Sequence, residues 1–329
     1  MKKILTLLLS VLLLACGALA FTACDKDGKS EEITVKINIP DGTPALALAQ
    51  VITDGVSIEG YKTDISFEAA DVIAANLAKN SIHLAILPTV SGAKIYQNGA
   101  KIKLVSTNVF GNLFIVGVNS TANSLQALVG KLVYVTTGTT IQMLQAILDA
   151  NDIEWEESGE AIAGKVAFES YSQASEVIPL MVQADKSGEE AYGVFGEPQV
   201  TQLRGKTDND EIIVDFQKAW KEMTTFDGYP QASLFVTDAF AASHAEYVSA
   251  FTDKLKDNAE WLNSAENIAK FQTAVEALGS TLASLTLTTE TILNCNLGFQ
   301  TAASIKESVK DYVPRLGGTA PDDNFFYSV

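Results

Sequence analysis

The stretch YGVFGEPQVTQL, residues 192–203, ends one kind of structure and begins another within three residues. Tyr192 to Phe195 read as a buried strand. Gly196 then permits a sharp turn, and Glu197-Pro198 follow at once. Proline suits the first position of a helix, where its missing N–H is not needed, and Gln199 to Leu203 resume a helical rhythm. Glu197 is thereby delivered to a strand–helix joint, beside a helix N-terminus that favours a carboxylate by about 0.3–1 kcal/mol. A strand that closes in a tight turn and opens a helix is the repeating joint of a sheet covered by helices.

Outward from this stretch the same joint recurs. ITVKINIP (33–40) predicts a strand, and in DGTPALALAQVI Thr43 suits the N-cap and Pro44 the first helical position. ISFEAA (65–70) predicts a second strand, followed by a helix capped by Asp71. HLAILP (83–88) predicts a third, followed by a helix ending at Asn98-Gly99. IKLVSTN and NLFIVGVN (112–119) supply further strands. A second series starts near residue 120: a short helix in SLQALVGK, the strand KLVYVTT, and a helix opened by Gly138-Thr139-Thr140. It continues with the strand VAFESYS and a helix capped by Ser172 or Ser175, then YGVFGEP and EIIVDF. ASLFVT reads as a strand crossing back, and residues from about 239 to 313 as mostly amphipathic helix. This βαβα order predicts an α/β fold with mainly parallel sheets flanked by helices.

The chain has 329 residues, 47% of them hydrophobic and 19% charged, enough for a large core and two domains. Its first residues stand apart. MKK is basic, and ILTLLLSVLLLA is an apolar run too short and wrongly flanked for a membrane span. Two cysteines follow, Cys16 in LLAC and Cys24 in FTAC. Each closes a small-residue cleavage site resembling the lipobox of bacterial lipoproteins. LLAC is the better spelled, but Cys16 is followed by apolar residues, whereas Cys24 is followed by the polar leash DKDGKSEE. Residues 1–23 are accordingly read as a lipoprotein signal peptide, Cys24 as the lipidated residue, and 24–32 as a tether, with Cys16 the alternative. Cleavage there removes Lys2 and Lys3 and takes the formal charge from −17 to −19. Such acidity argues against nucleic acid and anionic lipid as partners. Only Cys295 remains in the body, so an internal disulfide has no partner.

Several stretches together resemble the ABC-transporter solute-binding proteins of the nitrate/taurine/sulfonate and thiamine-precursor group. They are ILPTVSGAKIYQNG (86–99), GKLVYVTTGTTIQMLQAIL (130–148), ASEVIPLM (174–181), VFGEPQVTQL (194–203), GYPQASLFVTDAF (228–240) and DNFFY (323–327). The resemblance implies the two-lobed type II periplasmic-binding-protein fold with two crossover strands. Residues 33–114 with 229–329 would form a discontinuous lobe and 115–228 the second. It further implies a monomeric receptor, outside the cytoplasmic membrane and anchored only by lipid, that hands a small solute to an ABC permease.

In open α/β sheets ligands bind beyond the carboxyl ends of strands. Here those loops are DGTP (41–44), LPT (87–89), TTGTT (136–140), SQAS (172–175) and GEP (196–198). The expected ligand-binding residues are Asp41, Thr43, Pro44, Thr89, Asn112 at the crossover, Gly138, Thr139, Thr140, Ser175 and Glu197. Most also have a plain capping or turn explanation; Gly138-Thr139-Thr140 offers more hydroxyls than one cap needs. Glu197 would accept hydrogen bonds from a ligand amine or from the opposite lobe. The two arginines, Arg204 and Arg315, fall outside these loops, so a guanidinium fork around an anion is not expected. The ligand classes left open are a sulfonate, a nitrate-like anion and a pyrimidine-like heterocycle. His83 and His244 lie outside the loops, and the sequence predicts neither metal nor cofactor. The competing functions are a pyrimidine-synthase-like enzyme on the same fold and a sensory binding protein. An export signal and the lack of a nucleophile–base pair weigh against an enzyme.

Overall fold

The computed structural model describes residues 32–328; the signal peptide, Cys16 and Cys24 lie outside them. The described residues form twelve strands: β1 (Ile33–Ile39), β2 (Tyr61–Phe67), β3 (Leu84–Pro88), β4 (Ile102–Val109), β5 (Leu113–Val118), β6 (Leu132–Thr136), β7 (Trp155–Glu157), β8 (Val166–Tyr171), β9 (Ala191–Gly196), β10 (Asp210–Asp215), β11 (Ala232–Thr237) and β12 (Leu297–Thr301). The helices are α1 (Thr43–Leu46), α2 (Ala49–Asp54), α3 (Ala70–Ala78), α4 (Thr89–Gln97), α5 (Thr139–Ala150), α6 (Ala174–Ser187), α7 (Gln199–Arg204), α8 (Phe216–Met223), α9 (Asp238–Ser243), α10 (Ala245–Lys256), α11 (Asn258–Trp261), α12 (Ala265–Glu276), α13 (Thr289–Asn294) and α14 (Ala302–Arg315).

The strands form two six-stranded sheets, ordered β12-β4-β11-β3-β1-β2 and β10-β5-β9-β6-β8-β7. Both are mixed. In the first, β1 runs parallel to β2 and β3, while β11 and β12 are antiparallel to their neighbours. In the second, β6, β7, β8 and β9 are parallel and β5 and β10 antiparallel. The antiparallel pairs gather where the chain passes between sheets. One passage, from β4 to β5, takes only three residues, 110–112. The return, from α8 to β11, runs through 224–231.

Burial explains why the two sheets cohere. On one face of the first sheet, Val35, Ile37 and Val236 share a core with Val51 of α2, Phe251 of α10, and Phe271 and Val275 of α12. Its other face shares a core with the second sheet, continuous through Trp220, Tyr229 and Tyr312. These three rings lie 5.5–5.8 Å apart, with Tyr229 stacked on Tyr312 at 20°. Aromatic contacts of this kind contribute about 0.5–1.5 kcal/mol beyond burial. Tyr229 comes from one passage and presses on Gly111 of the other. A Cβ at Gly111 would stand 2.4 Å from its ring, and φ there is +86°. The position requires glycine.

Several caps differ from the sequence reading. Gly42, not Thr43, is the N-cap of α1; Thr43 is the first helical residue, freeing its hydroxyl for another bond. Ala69 rather than Asp71 precedes α3, Asp71 falling in its first turn. Gln173 takes the cap of α6, with its N–H donating to Glu176 Oε2 at 2.9 Å, and Ser175 lies exposed in the first turn. Pro198 occupies the N-cap of α7, and the Glu197–Pro198 peptide is cis. SLQALVGK forms only a 3₁₀ turn, and β7 carried no strand-length signal.

Candidate functional site

Four strand–helix joints converge from both sheets on one cavity of about 290 Å³. Asp41 to Pro44 come from the first sheet; Thr136, Thr137 and Thr140, Ser172 to Ala174, and Gly196, Glu197 and Gln199 come from the second. Asn112 of the short passage, Gln231 of the return, and Leu113, Val194 and Phe195 of the second sheet complete the lining. Six of the ten expected residues thus meet: Asp41, Thr43, Pro44, Asn112, Thr140 and Glu197. Gly138, at φ +78°, caps α5 just outside, with Thr139 next to it. Thr89 is fully buried and shares a hydrogen bond of 2.7 Å with Ser233, a strand-pinning contact rather than a cavity wall. Ser175 does not line the cavity either.

Two carboxylates belong to the lining, and both are engaged by protein. Asp41 accepts from the backbone N–H of Gly42 and Thr281 at 2.9 and 2.8 Å, and from the hydroxyls of Ser280 and Thr281. It ties the β1–α1 joint to the turn after α12. Glu197 is 3% exposed and accepts from Thr201 N–H at 3.0 Å. Burial pushes the Glu197 carboxyl up, against the Thr201 and Asn294 contacts that favour its anion. Charge complementarity at the start of α7 therefore accounts for one oxygen, as the sequence suggested.

The main chain of Glu197 does more. Its carbonyl accepts from the Thr43 hydroxyl and, at 3.1 Å, from Asn112 Nδ2, which also donates to Thr43 Oγ1 at 2.9 Å. Asn112 N–H donates to Gln231 Oε1 at 3.0 Å. One strand–helix joint of each sheet and both passages are thereby linked by buried hydrogen bonds. A fifth contact, Thr201 Oγ1 to Thr291 Oγ1 at 3.2 Å, adds to them. Asn112 cannot be turned over within this set, because a carbonyl accepts only and Nδ2 must face Glu197. Its Oδ1 is consequently left buried without a partner among the described residues.

The rest of the lining is neutral, polar side chains standing beside the apolar Leu113, Val194 and Phe195, and it contains no Lys, Arg or His. No side chain caps the twelve-residue α5, so its first N–H groups have no side-chain partner. Thr136, Thr137 and Gln173 belong to the expected loops but not to the expected contact residues, and Gln199 and Gln231 lie outside both. The glutamines lie one residue past a joint or beside a proline, and no local pattern distinguishes them from surface amides. Elsewhere, His83 and His244 flank Phe240 at 4.6 and 4.7 Å, and Cys295 is fully buried. Among the described residues no three His, Cys, Asp or Glu side chains form a metal-binding group, and no helix is long and apolar enough to cross a membrane. A larger cavity, about 520 Å³, lies between α10, β12 and the chain end, but no strand–helix joint of either sheet's parallel part opens into it.

Solved structures of similar fold share this architecture. One is an ABC transporter protein from Parabacteroides distasonis, with TM-score 0.69 and 20% identity over 90% of this chain and 99% of that one. The fold is that of the periplasmic binding proteins. Two further relatives in shape are the periplasmic aliphatic sulphonate binding protein SsuA of Escherichia coli (TM-score 0.61, 12% identity, 90% and 92% coverage) and the alkanesulfonate-binding protein SsuA of Xanthomonas axonopodis pv. citri bound to MOPS (0.59, 15%, 89% and 96%). No family model and no curated protein matches the chain. At these identities the likeness speaks for the binding-protein fold, and the chemistry must come from the cavity itself.

Proposed function

We propose that this chain is an extracytoplasmic solute receptor, lipid-anchored through Cys24, that captures a small polar molecule and delivers it to an ABC permease. The observation that carries the reading is the convergence of four strand–helix joints from two sheets on one cavity, with only two passages connecting the sheets. Ligands of open α/β sheets bind at such joints, and paired passages let two bodies close by a few backbone rotations. On this reading 33–114 with 229–329 is one lobe and 115–228 the other. The similarly folded SsuA proteins named above are described as sulfonate-binding, which adds support for a receptor and for none of the enzyme readings. A volume of 290 Å³ equals about ten water molecules at ~30 Å³ each, the scale of a sulfonate, a nitrate-like anion with its waters, or a pyrimidine-like ring.

The test is a thermal-shift screen of small solutes against the protein without its signal peptide, followed by small-angle scattering on each hit. A solute at 100-fold its Kd adds about 2.7 kcal/mol of stability, equivalent to roughly 5–10 °C for domains of 150–250 residues. The radius of gyration should fall when such a hit is added. Hits that stabilise without compaction, or a screen of several hundred solutes with no hit, would refute the receptor.

A further inference from the structure

Glu197 stands before α7, yet part of what encloses it comes from segments on the other side of the cleft. Its carbonyl accepts from the Thr43 hydroxyl, and its carboxyl meets the side chain of Asn294 at the end of α13. Burial, and then the nearby Glu197 charge, push the Cys295 thiol up, so that neighbour stays neutral. On the receptor reading, Thr43, Asn294 and Cys295 belong to one lobe and Glu197 to the other. A carboxylate only 3% exposed is therefore enclosed by both lobes at their seam.

The groups around it do not fully support a charge there. Thr201 donates its N–H at 3.0 Å from the same helix and adds its hydroxyl, and Asn294 contributes across the seam. Arg204, at the far end of α7, acts more weakly than these and is ion-paired with Asp210. Asp41 of the β1–α1 joint, already engaged by Gly42, Ser280 and Thr281, adds a like charge to the same cavity. Glu290, the charged residue of α13, is exposed. Neither α1, β9 nor residues 110–112 carry an Asp, Glu, Lys, Arg or His. Burial outweighs the donors and holds the Glu197 carboxyl above its usual range.

Building on the receptor reading, we infer that closing the lobes takes up a proton at Glu197, so that lowering the pH drives the receptor towards its closed, solute-holding form. When the lobes part, Asn294 and Cys295 withdraw and water reaches the carboxyl, while Thr201 stays with it on α7. The open form then titrates near the ordinary glutamate value, about 4.3, or below it. The closed form keeps the proton to higher pH and so binds more protons than the open one. Closing gains as pH falls from the raised closed value to about 4.3, by at most about tenfold per pH unit for one proton. Because the proton sits on the protein, the gain applies to every solute alike whenever open molecules dominate.

The test follows the ligand-free protein, without its signal peptide, by small-angle scattering between pH 7.5 and 5, beside Glu197→Gln, which cannot titrate. The wild-type radius of gyration should decrease as pH falls. Glu197→Gln should be as compact at pH 7.5 as the wild type at pH 5, with no dependence on pH. If that variant fails to fold, Thr43→Val takes its place, since it weakens closing without altering the carboxyl. Its pH of half-compaction should fall by about one unit for each tenfold loss in closing, the relation a single linked proton imposes; an unchanged value overturns the inference. A wild-type radius constant across the range overturns it too. So does a Glu197→Gln variant that stays expanded, or one that compacts with pH as the wild type does, which would assign the titration to another group such as the histidines beside Phe240. None of these results decides the receptor reading, which the solute screen judges separately.

Discussion

Thr43→Val removes one hydroxyl from the seam between the two sheets and leaves the side-chain shape nearly unchanged. In the wild type that hydroxyl donates to Glu197 O and accepts from Asn112 Nδ2 at 2.9 Å. Thr43, Asn112 and Glu197 are 7%, 2% and 3% exposed, so water does not readily replace the lost group. Each neutral hydrogen bond is worth about 0.5–1.5 kcal/mol net, giving about 1–3 kcal/mol for two. The lower half of that range is expected, because Asn112 Nδ2 still reaches Glu197 O at 3.1 Å and neither group is fully orphaned. Urea unfolding followed by fluorescence should show a midpoint decrease equivalent to about 1–2 kcal/mol at unchanged slope. A double-mutant cycle with Asn112→Ala should give a coupling of at least ~0.5 kcal/mol, since contacting residues are not additive. A Thr43→Val midpoint indistinguishable from wild type, with coupling below ~0.3 kcal/mol, would mean that the seam bonds contribute nothing to stability.

Other perturbations have equally definite outcomes. Burial raises the Glu197 pKa, so the folded state holds its proton more firmly than the unfolded state. The stabilisation this gives is present at low pH and is lost as pH rises through the unfolded value, about 4.3, towards the folded one. Glu197→Gln, which keeps an acceptor for Thr201, should therefore gain stability relative to wild type as pH goes from 4 to 7; a pH-independent difference in thermal denaturation would contradict this. Gly92→Ala should be strongly destabilising, by roughly 1–3 kcal/mol or more in a chemical melt, since its Cβ would stand 2.1 Å from the Phe235 ring. Asp41→Ala strands two backbone N–H groups and two hydroxyls, so proteolysis around 280–282 should accelerate; unchanged cleavage would show that the tie is dispensable. For anchoring, intact mass of the membrane-extracted protein should place diacylglyceryl on Cys24, and an N-terminus at Cys16 would reverse the choice.

The sheets were legible because their signals are local. ITVKINI, HLAIL and ASLFVT are apolar runs of strand length bounded by Pro, Gly or Asp, and each forms a strand with its core-facing residues buried. The caps were less so. Thr43, Asp71 and Ser175 all have the chemistry of an N-cap, yet Gly42, Ala69 and Gln173 hold those positions. At Thr43 the reason is tertiary: its hydroxyl finds Glu197 O, 154 residues away, whereas at Gln173 a local capping box with Glu176 prevails. Asp41 shows the same limit, its acceptors claimed by a turn 240 residues distant. Sequence identifies which joints approach the cavity, because strand ends are local. It does not identify which polar atoms stay free there, because that depends on partners contributed by other segments.

That distinction bears on how capture would work. The bonds joining Thr43, Asn112 and Glu197, and that between Thr201 and Thr291, connect groups on the two sheets without a ligand's help. On the receptor reading, closure is then partly prepaid by the protein, and the ligand supplies the remainder. If only a fraction of molecules is closed and binding-competent, the apparent Kd rises as the inverse of that fraction. Removing a seam bond worth about 1.4 kcal/mol would weaken every solute up to tenfold when open molecules dominate, and hardly at all when closed ones do. Thr43→Val therefore reports the position of the open–closed equilibrium. A uniform loss of affinity across unrelated ligands, with a larger radius of gyration in the free protein, places wild type near balance. Loss confined to one ligand would instead mean that the Thr43 hydroxyl touches that ligand directly, and that the seam is a wall of the cavity rather than its latch.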